Sequence, residues 1–277
     1  MNQPPVARIM LPRSYLFVPG NRPDRFSKAF ASGADAVILD LEDAVPISEK
    51  AEARQEVQRW VRSSGKAYVR VNAAGTQWHD DDVHALASLD GIQGVVLPKA
   101  EHPAALRSLA AKLLPTSVLL PLIESAIGFG NLDAICAVPK VQRLMFGTLD
   151  FQVDMQMEGT GFELLYFRSQ LALASRIACI GTPVDGVTTA IRDARRIRHD
   201  TTCARNLGFG GKLCIHPEQI ASVHVAFSYS QSEIDWAHRV MDAVNTNAGA
   251  ATSIDGKMVD APVIQKAKYI IGRSFVN

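Results

Sequence analysis

The chain has little of what marks a specialised environment. Its 277 residues hold only four cysteines, Cys136, Cys179, Cys203 and Cys214. They are widely spaced, with no CxxC or Cys/His ligand spacing, which leaves neither a disulfide framework nor a zinc site of the usual pattern. Each has apolar neighbours in sequence, so buried inert thiols are expected. Aromatics are 7% of the chain, and Trp60, Trp78 and Trp236 follow no pattern. Charge of either sign is not in excess: 29 Lys and Arg against 28 Asp and Glu give a net +1, which offers no bulk attraction to nucleic acid or an anionic membrane. No apolar run is long enough to span a bilayer. The first ten residues lack a charged segment followed by an apolar one, so no signal peptide is expected. These absences predict a cytoplasmic, reducing location with no membrane or nucleic-acid partner. There is also no GxGxxG after the first strand-like run and no GxxxxGK[ST], so nucleotide-binding doubly wound folds lose support.

What is present is an ordinary soluble composition, 47% hydrophobic and 21% charged, arranged as short apolar runs alternating with helix-like stretches. The run from Ala36 to Val45 is the most informative. Val37 to Leu41 has too few polar residues to alternate and reads as a strand buried on both faces. The carboxylates Asp40, Glu42 and Asp43 arrive at its C-terminal end. Similar strands are predicted at Ser14–Val18, Ala67–Val71, Gly94–Leu97, Ser117–Ile123, Val141–Phe146, Thr182–Asp185 and Gly211–Ile215. Helices are predicted between them at Pro23–Ser32, Ser48–Ser63, Asp81–Leu89, His102–Leu114, Leu132–Ala137, Phe162–Cys179 and Thr188–Leu207, with an insertion at Asp150–Gly161 and a last barrel helix to about Phe227. Eight βα units in this length predict an α/β fold, a (β/α)8 TIM barrel over residues 1–227. Residues 228–277 read as a C-terminal helical extension. It has helices at Gln231–Asn245 and Val263–Ile271, a loop at Asn247–Gly256, and a role as lid or subunit contact.

A closed parallel barrel brings the residues past each strand onto one face, where ligands bind. That face collects Pro19 to Arg22, Glu42, Asp43, Arg70, Asn72, Lys99, Glu124, Asp150, Asp185 and His216. Glu124 and Asp150 could hold a hard divalent cation, with water and substrate oxygens completing its shell, as Mg²⁺ is usually held. Arg70 would offer a planar fork to a carboxylate or a polarised carbonyl. A metal and an arginine around a carbonyl form a device for stabilising an enolate. Blander roles stand beside these. Glu42 and Asp43 could simply hold Arg70 and metal-bound waters, and Arg70 could be a structural partner of Asp43. Lys99 could be a salt-bridged barrel lysine, and His216 a structural histidine. Arg22 and Lys28 could form a solvated helix face. Asp260 could be only an N-cap, and Arg192–Arg198 reads as an exposed helix face.

Seven segments then occur in order: Arg13-Ser14-Tyr15-Leu16-Phe17-Val18-Pro19-Gly20, Asp40-Leu41-Glu42-Asp43-Ala44-Val45, Val69-Arg70-Val71-Asn72, Pro98-Lys99, Ile123-Glu124, Phe146-Gly147 with Asp150, and Cys214-Ile215-His216-Pro217. Together they resemble the citrate lyase beta subunit family, with the citramalyl-CoA and malyl-CoA lyases, in the HpcH/HpaI aldolase superfamily. The resemblance runs from about Arg13 to Arg273. It implies a barrel, usually a homotrimer, that cleaves or forms a 3-hydroxyacyl-CoA, with acetyl-CoA and a 2-keto acid such as pyruvate or glyoxylate as partners. It implies Mg²⁺ on Glu124 and Asp150, and Arg70, Asp260, Glu42 and Asp43 as the catalytic group, with Asp260 reaching a neighbouring subunit's site. Arg13, Pro19, Asn21, Arg22, Lys28, Asn72, Lys99 and Gly147 would surround the substrate or its CoA. Leu149 stands where the family often has an acidic residue, and Gln152–Met157 is less glycine-rich than usual, which opens the choice of substrate. Other readings remain: an aldolase on a free hydroxy-keto acid, a subunit acting on a carrier-protein thioester, or a non-catalytic acyl-CoA-binding barrel.

Overall fold

Eight strands close into one parallel barrel in sequence order, with the last pairing back onto the first. The structure is a computed structural model and describes residues 11–63, 65–159, 161–246 and 252–274. The strands are β1 (Ser14–Pro19), β2 (Ala36–Asp40), β3 (Ala67–Arg70), β4 (Ile92–Leu97), β5 (Val118–Ile123), β6 (Arg143–Phe146), β7 (Gly181–Asp185) and β8 (Gly211–Cys214). Helices fill the connections: α1 (Phe26–Phe30), α2 (Lys50–Arg62), α3 (His79–Leu86), α4 (Pro103–Lys112), α5 (Ala126–Gly130), α6 (Leu132–Cys136), α7 (Thr148–Asp154), α8 (Leu165–Ile177), α9 (Ala194–Asn206) and α10 (Ile220–Phe227). The chain divides into two compact units, Met1–His224 and Val225–Asn277. The second holds α11 (Gln231–Thr246), an antiparallel hairpin of β9 (Thr252–Ile254) and β10 (Lys257–Val259), and α12 (Ala261–Ser274).

The barrel interior is a packed layer stack, as small barrels require. Tyr15, Ile38, Tyr68, Val96, Leu120, Leu122, Met145, Val184 and Leu213 form one buried cluster, and Tyr15 meets Tyr68 edge-on at 5.5 Å. Arg143, fully buried at the start of β6, closes the N-terminal end. It donates to the carbonyls of Thr182 at 2.7 Å, Pro12 at 2.8 Å and Pro183 at 3.3 Å, so a cation is buried with its donors satisfied by backbone. The register of the first strands sets up the opposite end. Pro19 pairs with Asp40 and Asp40 with Arg70, so a carboxylate and a guanidinium come side by side at the C-terminal edge.

Several local expectations give way. Asp150 lies not in an insertion but on α7, which runs Thr148–Asp154 and is anchored by the buried Phe151 against Phe146 and Phe167. The helix expected from Thr188 starts at Ala194, where Asp193 accepts the Arg196 N–H as N-cap; polar side chains before it are drawn to caps and turns instead. The stretch expected as a loop to Gly256 contains β9, because Asp255 and Gly256, both at positive φ, supply a tight turn; residues 247–251 lie outside the described residues. Cys136 and Cys214 are buried, but Cys179 and Cys203 are exposed: apolar neighbours in sequence put a helix in contact with the core without deciding which face a given thiol takes. Trp60 does have a role, stacking on Phe30 at 5.3 Å and meeting Phe26 edge-on at 5.6 Å. Among the described residues no helix is long and apolar enough to cross a membrane.

Candidate active site

The C-terminal edge of β2 to β6 carries a clustered set of buried charges. Arg70 ends β3 and is only 8% exposed. Its Nε and Nη2 both donate to Asp40, each at 2.6 Å, a bidentate fork of the strongest kind. The remaining nitrogen, Nη1, lies 2.9 Å from Glu42 Oε2 and 3.7 Å from Asp43 but makes no hydrogen bond among the described residues. The guanidinium also stacks 4.8 Å from the Phe17 ring. Arg70 is therefore forked onto one carboxylate and turns its third nitrogen towards Glu42. The structural partner is Asp40, not Asp43, whose side chain is mostly exposed.

Glu42 and Glu124 are buried beside it. Glu42 Oε2 is close to Arg70, but without the alignment of a hydrogen bond, and has no hydrogen-bond partner among the described residues. Burial pushes the Glu42 carboxyl up to about 7, with Arg70 opposing and Asp43 and Asp40 adding to the rise. Glu124 is pushed up to about 8, again by burial first; the Lys99 N–H opposes, and Glu42 and Asp150 add to the rise. That N–H donates to Glu124 Oε1 at 2.7 Å, and Lys99 adopts φ 46 to deliver it, a left-handed conformation that costs energy in a non-glycine residue. Gly147 packs face-on against the same side chain. A Cβ there would stand 2.5 Å from Glu124 Oε2 and 2.7 Å from its Cβ.

Two buried carboxyls, Glu42 and Glu124, each pushed up by burial and by neighbouring carboxylates, with one buried Glu42 oxygen orphaned, form a site short of positive charge. The donor set is all oxygen, which suits a hard divalent cation. Among the described residues no group of three or more His, Cys, Asp or Glu side chains is arranged as a ready-made metal cage. Mg²⁺ does not need one, since it keeps waters and takes one or two carboxylates. Glu124 and Asp150 fit that role.

The other expected residues divide. Pro19, Arg22, Lys28 and His216 line one cavity of 490 Å³ with Phe17 and Pro217. Within it Arg22 is paired with Asp24 at 2.9 Å. Asn21 turns to Glu49, donating at 2.6 Å. Asn72 is not free for substrate through its amide nitrogen, which donates to Asp82 at 2.6 Å. Arg13 precedes β1 and so belongs to the N-terminal face, where it pairs with Asp35 at 2.9 Å; the structure does not bring it to the other residues. Asp260 belongs to the second unit, is exposed there, and accepts the Val263 N–H at 3.2 Å as the cap of α12. Sequence reasoning missed Asp40 as the residue that holds Arg70, although the strand register contains the signal. It also missed Lys50, Arg54 and Asp82, which come from helices.

Comparison with known proteins places this geometry in context. Residues 13–217 match the model of the HpcH/HpaI aldolase/citrate lyase family. A citrate lyase subunit beta-like protein of Deinococcus radiodurans is 38% identical, over 98% of this chain and 99% of its own. A (3S)-malyl-CoA thioesterase of Cereibacter sphaeroides is 32% identical, over 95% and 94%. The crystal structure of CitE from Mycobacterium tuberculosis in complex with magnesium, acetoacetate and coenzyme A superposes with a TM-score of 0.84 at 32% identity, covering 95% of this chain and 98% of that one.

Proposed function

The chain belongs to the HpcH/HpaI aldolase/citrate lyase family, and from that premise we propose that it is a Mg²⁺-dependent carbon–carbon lyase. Its substrate is a 3-hydroxyacyl-CoA such as citramalyl-CoA or malyl-CoA, cleaved to acetyl-CoA and pyruvate or glyoxylate, or formed from them. The observation that carries the reading is the state of Arg70: rigidly forked onto Asp40, with Nη1 left among carboxylates that a cation would neutralise. Mg²⁺, when bound by Glu124 and Asp150, supplies a Lewis acid for substrate oxygens.

The chain's own residues then have distinct tasks. Arg70 Nη1 donates to the oxygen that gains charge as the carbon–carbon bond breaks. Retro-aldol cleavage removes the hydroxyl proton, and the electron pair of that bond passes to the thioester, leaving an enolate that must be protonated at carbon. We assign both proton transfers to Asp260 of a neighbouring copy in a homotrimer, on the family likeness; its exposure on the second unit suits that role. Glu42 and Asp43 hold Arg70 and the waters around it. The 490 Å³ cavity, with Arg22, Arg25 and Lys28 on its wall, suits the phosphates of CoA. Exposed apolar side chains on α7, α8 and the turn between them, including Val153 at 79%, Phe162 at 85% and Ile177 at 69%, support association with other copies.

The test is direct. Purified protein is incubated with Mg²⁺ and citramalyl-CoA or malyl-CoA, and products are followed by mass spectrometry with an EDTA control. Metal-dependent release of acetyl-CoA with a keto acid is expected. Release of free CoA with malate would instead assign the thioesterase activity named for the Cereibacter relatives. Cleavage of a free hydroxy-keto acid alone would favour an aldolase, and no cleavage at all would favour a carrier-protein thioester or a binding role.

A further inference from the structure

Helix α2 carries two cations one turn apart, Lys50 and Arg54, that face the site rather than solvent. Lys50 is 6% exposed, yet among the described residues no carboxylate oxygen lies within ion-pair distance of it. Its Nζ donates to the carbonyls of Leu41 at 2.8 Å and Glu42 at 2.7 Å, and it sits 5.6 Å from the centre of the Trp78 ring. Burying an ammonium is costly, and here it fixes the main chain at the point where it leaves β2. The Leu41 N–H, in turn, donates to the Arg70 carbonyl at 2.9 Å. Arg54 acts on the next strand. Its Nε donates to the fully buried Asp82 at 2.7 Å. Asp82 accepts from the Asn72 backbone N–H at 2.9 Å and from its side chain at 2.6 Å. The His79 ring is 2.8 Å from the Asn72 carbonyl.

We propose that Lys50 and Arg54 are positioning residues: from one face of α2 they clamp the two chain segments that follow β2 and β3, and so aim Glu42 and Arg70 at the reacting substrate. The spacing supports this, because residues four apart on a helix lie on one face one turn apart, and β2 and β3 are neighbours in the barrel. Neither cation touches substrate in this arrangement; each acts through a backbone segment. The proposal rests on the lyase reading for its kinetic readout only.

The test is a double-mutant cycle between Lys50→Met and Glu42→Gln, with Arg54→Met and Arg54→Lys alongside. Lys50→Met is expected to lower kcat on the order of 10- to 100-fold with KM for the thioester nearly unchanged, the range typical when the support of a site residue is removed. Against Glu42→Gln the further loss should be small, because a misaimed Glu42 and an absent one are nearly equivalent. Arg54→Lys should recover part of what Arg54→Met loses. Losses that multiply independently in the cycle, or a lowered Tm with kcat intact, would overturn the proposal. If Lys50→Met does not fold, Lys50→Arg carries the same cycle. An inactive wild type would sink the lyase reading alone. The brace is then decided by crystal structures of wild type and Lys50→Met: a displaced Leu41–Glu42 segment supports it, and an unmoved one refutes it.

Discussion

Gly147→Ala separates geometry from charge at the proposed metal site. Gly147 has φ −84 and ψ 76, near the inverse γ conformation open to any residue, so alanine meets no backbone objection. The added methyl would lie 2.5 Å from Glu124 Oε2, 2.7 Å from Glu124 Cβ and 3.4 Å from Cδ. Carbon contacts settle near 3.5 Å or beyond, so the Glu124 side chain must retreat by about 1 Å. A shift of that size disturbs the 2.7 Å bond from the Lys99 N–H, where a hydrogen bond to a charged group is worth about 1.5–3 kcal/mol. Overpacking should cost about 1–3 kcal/mol of stability, and a misplacement of about 1 Å should cost on the order of 100-fold in kcat/KM. Mg²⁺ affinity should fall at least about tenfold, measured by titration calorimetry beside acetyl-CoA release. Gly130→Ala is the control, because a Cβ there meets nothing within 4 Å. If Gly147→Ala binds Mg²⁺ and turns over like wild type, Glu124 is not the ligand that this packing protects.

Three further outcomes follow from buried charge and exposed sulfur. Burial pushes the Asp185 carboxyl up, but Lys212 at 3.0 Å and Arg168 at 2.8 Å overcome it and hold the group below the usual range. A depressed folded value gives stability that is present above the unfolded value of about 3.9 and is lost as pH falls below it. Asp185→Asn should therefore cost about 3–5 kcal/mol near neutral pH in urea unfolding, with the gap from wild type narrowing below about pH 4; a gap that stays constant would refute the pairing. Arg143→Met leaves three carbonyls without their donor and should cost on the order of 3 kcal/mol while turnover per folded molecule stays at the wild-type level, as a denaturation curve and an assay at one protein concentration would show. Finally, iodoacetamide should label Cys179 and Cys203 in the native protein and reach Cys136 and Cys214 only on unfolding. Peptide mapping that found the second pair labelled first would contradict their burial.

The barrel could be read from the sequence because each strand is a short apolar run with a polar residue just beyond it, and parallel strands send all such residues to one edge. Glu42, Arg70 and Glu124 were found in that way. Asp40 was seen but given no partner, since only strand register shows that it stands beside Arg70. Lys50, Arg54 and Asp82 could not be found by the same reasoning. On a helix with a polar outer face, a lysine that turns inward looks like its solvated neighbours. The hairpin before α12 escaped because three-residue strands carry too little alternation to register. Asp193 capping α9 was overlooked because the sequence offers Thr188 as an equally good start.

The division of labour within the site has an evolutionary consequence. Asp40, Glu42, Lys50, Arg54, Arg70, Asn72 and Asp82 all fall in one contiguous stretch of chain, whereas Glu124, Gly147 and Asp150 come from another. Lys99, between the two stretches in sequence, donates its N–H to Glu124. A substitution or a recombination event that exchanges the first stretch between relatives would carry its guanidinium, counter-ion and brace together as an inherited cassette. On the proposed reading, selection could then reshape the grip on the substrate while Glu124 and Asp150 keep their place, with Glu42 the electrostatic link between the two stretches.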